Sequence, residues 1–264
     1  MEAVHSVSGH WPDEVDAAAV RELRGKLAGP PTLGLIFIAP KLFSKAKEIL
    51  ELVQIEAKVP TLIGCSGASL IATDKEVEQA PGMALGLYSL PSAKLDVVHV
   101  TQEQVEEATG PGYWHMETGI EQTNGWLVFA DPFTFNCDAW LTMWNEAYAG
   151  CPTLGGLASG DFTEQSTQLY WNNQVFTEGA LAMSVSGDVA LAGVISQGCT
   201  PIGDTWTITR AEGHYIHEIA NRPAYEVLMQ TLNALPESEK RGLRGNLFIG
   251  LVVNEYLDEF HRGD

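Results

Sequence analysis

Three stretches of this chain recur at one fixed separation. Leu35-Ile36-Phe37 matches Leu127-Val128-Phe129, Pro40 matches Pro132, and Pro60-Thr61-Leu62-x-Gly64 matches Pro152-Thr153-Leu154-x-Gly156, each 92 positions on. A constant offset across separate matches is the mark of internal repetition, in which one supersecondary unit is built twice. In each copy a short apolar run ends near a Pro, an amphipathic segment follows, and a second apolar run starts after another Pro. Short apolar runs bounded by turn residues read as buried strands, and the amphipathic segment reads as a helix. A strand–helix–strand unit pairs its strands in parallel, because the helix carries the chain back to the starting end. The predicted class is α/β of mixed α+β character. Duplicated strand–helix–strand halves, over about 33–90 and 125–187, form mixed sheets with helices packed on them in a three-layer-like arrangement.

Around the repeat the pattern is less regular. Residues 14–28 carry Val15, Ala18, Ala19, Leu23 and Leu27 at helical spacing, and Gly29-Pro30-Pro31 stops them. Thr101-x-x-Gln104 is a capping box opening a short acidic helix, and 113–125 reads as a loop. Short strands are expected at 180–185, 189–196, 205–209 and 214–217, then a helix from Arg222-Pro223-Ala224 to Leu232 and a final strand over 246–253. His5, His10 and Trp11 precede the first predicted element and read as a mobile terminus.

Charge removes whole classes of partner. With 15 Lys+Arg against 34 Asp+Glu among 264 residues, the net charge is −19. Nucleic-acid backbones and anionic membrane surfaces require clustered cations, so neither is an expected partner. The N-terminus shows no signal peptide, and no stretch reaches the length of a membrane span. Cys65, Cys137, Cys151 and Cys199 are scattered, without the spacing of a zinc site or a disulfide framework, which predicts reduced thiols, no metal and a cytoplasmic location.

The common catalytic motifs fail one by one. Gly155-x-x-x-x-Gly160 is followed by Asp161 where a phosphate loop needs Lys, and no Gly-x-Gly-x-x-Gly follows a strand, so no cofactor is expected. Gly64-Cys65-Ser66-Gly67-Ala68 approximates a nucleophile elbow, but no helix pattern follows the Ser. His214 and His217 sit three apart in a predicted strand and face opposite ways. Cys137, Trp140, Met143 and Trp144 read as the core stripe of a helix. What remains is a set of polar, glycine-rich turns at strand exits: Cys65-Ser66-Gly67, Ser159-Gly160-Asp161 and Ser196-Gln197-Gly198-Cys199-Thr200. Open α/β sheets bind ligands outside the carboxyl ends of their strands, so the first two turns are expected to face each other across a crevice. Arg210 could pair with a ligand carboxylate and Asp161 with an ammonium group, which together suit an amino acid.

Ser196-Gln197-Gly198-Cys199-x-Pro201-Ile202-Gly203, Ile208-Thr209-Arg210-Ala211-Glu212-Gly213, Ile216-His217-Glu218-Ile219 and Arg222-Pro223-Ala224 resemble the signature of FIST domains. The likeness extends back through Phe37-x-Ala39-Pro40, Gly64-Cys65-Ser66-Gly67 and Gly155-Gly156-x-Ala158-Ser159-Gly160-Asp161. It implies a sensory module that binds a small ligand, such as an amino acid, and signals to a protein partner. It also implies an N-terminal-like domain over 1–215, with an incomplete C-terminal-like part over 216–264. The resemblance points to a non-catalytic role. The alternative is a hydrolase or transferase using Ser66, Cys65 or Cys199.

Overall fold

The computed structural model describes residues 4–12, 15–72, 75–78, 80–160, 163–194, 201–243 and 247–252. The chain divides into two compact units, Met1–Gly193 and Val194–Asp264. Among the described residues no helix is long and apolar enough to cross a membrane.

The first unit runs through the same sequence of events twice. Its first half is β1 (His5–Trp11), α1 (Ala17–Lys26), β2 (Leu33–Ile38), a 3-10 turn (Pro40–Lys45) leading into α2 (Ala46–Ala57), β3 (Thr61–Ser66), a hairpin of β4 (Ser69–Ala72) and β5 (Lys75–Glu78), and β6 (Met83–Ser89). Its second half is β7 (Ala93–Val100), α3 (Gln102–Glu107), α4 (Pro111–Thr118), β8 (Gly125–Ala130), α5 (Cys137–Ala147), β9 (Thr153–Leu157), a hairpin of β10 (Leu169–Trp171) and β11 (Gln174–Phe176), and β12 (Ala180–Gly187). In both halves the strands flanking the longest helix pair in parallel, β2 with β3 and β8 with β9. The last strand returns antiparallel to the first of that pair, and the opening strand of each half lies on its other side. One element departs from this symmetry. β10 pairs with β3 of the other half, giving a six-stranded sheet β1-β6-β2-β3-β10-β11 beside a four-stranded sheet β7-β12-β8-β9.

The layers number four, not three. Val20 and Leu23 of α1 and Leu50 and Val53 of α2 pack on Ile36, Ile38, Leu62 and Leu85 of the six-stranded sheet. The opposite face of that sheet, through Leu33, Ile63, Cys65 and Leu169, meets Phe129, Leu181 and Met183 of the four-stranded sheet. The outer face of the second sheet is covered by Trp114, Trp140 and Trp144, packed on Trp126, Val128 and Ala180. Each half keeps its own sheet, and a sheet buried on both faces reads as a continuous apolar run, which is how β12 appears in the sequence. Along β12 the alternation resolves the faces: Ala180 and Ala182 turn to the helices, Leu181 and Met183 to the other sheet.

Several expectations are corrected. The segment read as a loop is entered by α4, which starts at Pro111, ends at Gly119 in the left-handed region (φ 67°) and buries Trp114. His5, His10 and Trp11 belong to edge strand β1, paired along its length with β6, not to a mobile terminus. Residues 189–194 and 247–252 carry no strand. The capping box at Thr101 and Gln104 is present as read.

The repeat also slips. Leu33 pairs with Thr61, but Trp126 rather than Gly125 pairs with Thr153, so the second copy is shifted by one residue. A glycine nevertheless lies beside the same carbonyl in both copies. A Cβ on Gly64 would overlap the carbonyl oxygen of Ile36, and one on Gly155 that of Val128.

The second unit comprises β13 (Ile208–Glu212), β14 (Tyr215–Ile219) and the short β15 (Arg222–Pro223), antiparallel throughout, followed by α6 (Ala224–Ala234) and α7 (Glu237–Leu243). Ala220 and Asn221, both at positive φ, turn β14 into β15.

Candidate functional site

The strand-exit turns of the two halves are hydrogen-bonded to each other. The Ser159 amide donates to the Ser66 carbonyl at 3.1 Å, and the Ala68 amide donates to Ser159 Oγ at 2.9 Å. The Ser66 amide donates to the Gln168 carbonyl at 2.8 Å, and the Gln168 amide donates to Ser66 Oγ at 3.0 Å. The turns are thus neighbours, but in contact rather than across an open crevice. Cys65, Ser66, Gly67 and Gly160 are buried, and Ser159 is half-buried. After Ser66 the chain enters β4 rather than a helix, so the elbow geometry that projects a nucleophilic serine is absent here.

Beside this junction sits a buried carboxylate that the sequence reading passed over. Asp131, 2% exposed, follows β8. Its Oδ1 accepts from Thr167 Oγ1 at 2.6 Å, and its Oδ2 accepts from both the amide and the hydroxyl of Thr134. Three donors satisfy most of the acceptor capacity of a carboxylate, which is what allows it to be buried at all. Gln168, next to Thr167, carries the network to Ser66. The local signal was Asp131-Pro132-x-Thr134, set against Ala39-Pro40 at the matching place in the first half. Thr167 gave no signal, because it lies 36 positions from its partner.

A family model described as the FIST N domain matches residues 32–222. The chain belongs to the FIST family. It is 30% identical over 254 residues to an uncharacterized protein of Mycobacterium tuberculosis, an alignment covering 95% of this chain and 63% of the relative. It is 29% identical over 259 residues to an uncharacterized protein of Mycobacterium bovis, covering 96% and 65% respectively. The chain therefore spans under two thirds of the length of these FIST relatives. The FIST N match runs past Gly193 and Val194, where the two compact units divide.

Of the residues singled out in the sequence, the structure brings together Cys65, Ser66, Gly67, Ser159 and Gly160. Asp161, Ser196, Gln197, Gly198, Cys199 and Thr200 lie outside the described residues. Arg210 sits on β13 of the second unit, exposed, with its Nε 3.1 Å from Glu218 Oε1. Cavities of about 530 Å³ and 550 Å³ open elsewhere in the first unit, lined around Thr61, Asp96 and Trp171 and around Lys94, Tyr148 and Cys151.

Burial pushes the Cys65 thiol up to about 12, so it stays protonated at neutral pH. Native protein treated at pH 8 with a thiol reagent is expected to be labelled at the half-buried Cys137 and Cys151 well before Cys65. Peptide mapping after timed quenching checks this; Cys65 labelled first would contradict the burial argument.

Proposed function

We propose that the chain is a non-catalytic sensory module of the FIST type, which binds a small polar ligand and passes the signal to a protein partner. An amino acid is the first candidate ligand. The reading rests on one observation above others, the FIST match across most of the chain. The like topologies of the two halves support an origin by duplication, and the Ser66–Ser159 junction gives a ligand on either half a path to the other. A hydrolase using Ser66 or Cys65 is disfavoured by two facts. The Cys65 thiol is raised far above neutrality, and Ser66 Oγ already accepts a backbone amide instead of being held by a basic side chain. We assign the module to the cytoplasm, where unbridged thiols such as Cys65, Cys137 and Cys151 persist.

A thermal-shift screen of amino acids and small metabolites tests the reading. A ligand at a hundred times its Kd adds about 2.7 kcal/mol to the native state, which for a unit of this size raises the midpoint by roughly 5–10 °C. A screen in which no compound moves the midpoint would remove the ligand-binding reading.

A further inference from the structure

β3 and its counterpart β9 differ in what lies beside them. In β3 the backbone groups that point away from β2 belong to Leu62, Gly64 and Ser66, and β10 takes them up. The Asn172 amide donates to the Leu62 carbonyl at 2.7 Å, Gly64 stands opposite Tyr170, and the Ser66 amide donates to the Gln168 carbonyl at 2.8 Å. β9 presents the same row. The Pro152 carbonyl accepts from the Trp126 amide, and the Ala158 amide donates to the Ala130 carbonyl, so the even-numbered positions point at β8. Alternation turns the amides and carbonyls of Thr153, Gly155 and Leu157 to the outer edge. With the one-residue slip these match Leu62, Gly64 and Ser66, since Gly64 and Gly155 each lie against a carbonyl of the neighbouring parallel strand.

Among the described residues nothing pairs with this row. β9 ends its sheet. The hairpin after β3, β4 with β5, forms a sheet of its own, whereas the hairpin after β9 crosses to β3. Gly193 lies against the Leu154 side chain, but none of residues 190–193 bonds to the β9 backbone. β1 and β7 are edges in both halves, so no missing neighbour is implied for them.

The edge is also unguarded. Edge strands are commonly blunted by charge, by Pro or by shortness. β7 carries Lys94 and Asp96, and β11 is three residues long. The five residues of β9 include neither charge nor Pro, and Gly155, Gly156 and Leu157 are exposed, Leu157 at 57%. Thr153, Gly155 and Leu157 share the helix side of the sheet with their partners Trp126, Val128 and Ala130. On that side α5, which joins β8 to β9, carries Asp138 and Glu146 and no cation. Residues 95–193 contain 13 Asp+Glu and no Lys or Arg.

We propose that β9 takes an extended segment of a partner protein as a fifth strand, antiparallel as β10 is to β3, and that this segment carries Lys or Arg beside apolar residues. In strand addition the main chain supplies affinity and alternate side chains supply choice. Leu157 offers apolar contact, and the acidic surroundings select and steer a basic segment. A second copy fits worse, because pairing two such edges brings together two halves that both lack cations. The proposal rests on the reading above that the module signals to a protein partner, and it names the chemistry of that partner.

The probe is a synthetic peptide of residues 167–173, the stretch that fills the equivalent edge of β3, flanked by two lysines at each end. A glutamate-flanked copy is the control. Hydrogen exchange of the full chain, read by NMR, locates the contact. Saturating lysine-flanked peptide should slow exchange of the Gly155 and Leu157 amides at least about tenfold and leave β7 unchanged. It should bind at least about tenfold more tightly than the glutamate-flanked copy, and Leu157→Lys, at an exposed position, should weaken it about tenfold. No binding at millimolar concentration overturns the proposal, and so does equal binding of the two peptides. Binding without protection of β9 overturns the edge assignment while leaving a protein partner in place. Gly155 and Leu157 amides already protected in the free chain also overturn it. Protection that grows with protein concentration would mark a second copy, and protection independent of concentration would mark the chain's own residues.

Discussion

Gly64→Ala is expected to destabilise the first unit by at least about 3 kcal/mol, while Gly156→Ala changes stability by no more than about 0.5 kcal/mol. The two glycines occupy matching places in the sequence repeat, 92 positions apart, so sequence alone would give them one role. The structure separates them. A Cβ on Gly64 would overlap the Ile36 carbonyl oxygen, which is backbone and cannot rotate away. β3 is also hemmed in by β2 on one side and β10 on the other, so it cannot retreat. A Cβ on Gly156 meets no described atom within 4 Å, because the one-residue slip moves the close approach to Gly155. Chemical denaturation of the two variants beside the parent checks this, and equal losses would mean that the slip is absent.

Asp131→Ala is expected to cost about 2–4 kcal/mol, more than Thr167→Val alone. Removing the carboxylate leaves the buried Thr167 hydroxyl and the Thr134 amide without their acceptor, whereas Thr167→Val removes one donor of three. Buried donors without partners carry the full desolvation cost. Asp131→Asn keeps one acceptor oxygen and should fall between the two. Denaturation midpoints give the order; Asp131→Ala behaving as the mildest of the three would show that the carboxylate holds nothing together.

The parts of the fold that were legible in the sequence are those whose cause is local. β2, α2 and β3, and their counterparts β8, α5 and β9, announce themselves by apolar runs and prolines repeated at a fixed distance. The stripe of Trp140 and Trp144 at helical spacing read as core, and both are buried. α4 was not legible, because it is short and buries Trp114 alone, so no apolar period marks it. Edge strands β1 and β7 carry polar and charged residues on their exposed face, which hides them from a search for apolar runs. The crossing of β10 to the other half's sheet leaves no local trace, and this crossing decides which strand covers β3. For the same reason the turn around Ser66 and Ser159 could be named from sequence, but not its closure by mutual hydrogen bonds. Its supporting carboxylate, Asp131, draws its partners from three separate segments: the Thr134 turn, Thr167 and, through the backbone, Gly179.

We propose above that this FIST chain binds a small molecule and leaves it unchanged. The most direct measurement titrates the best stabilising compound against the thermal midpoint, then recovers the compound by mass spectrometry after prolonged incubation. Non-catalytic binding predicts a midpoint that rises with the logarithm of concentration above the Kd, and a compound recovered intact. A midpoint independent of concentration, or a compound consumed in a way that Ser66→Ala or Cys65→Ala abolishes, would contradict it.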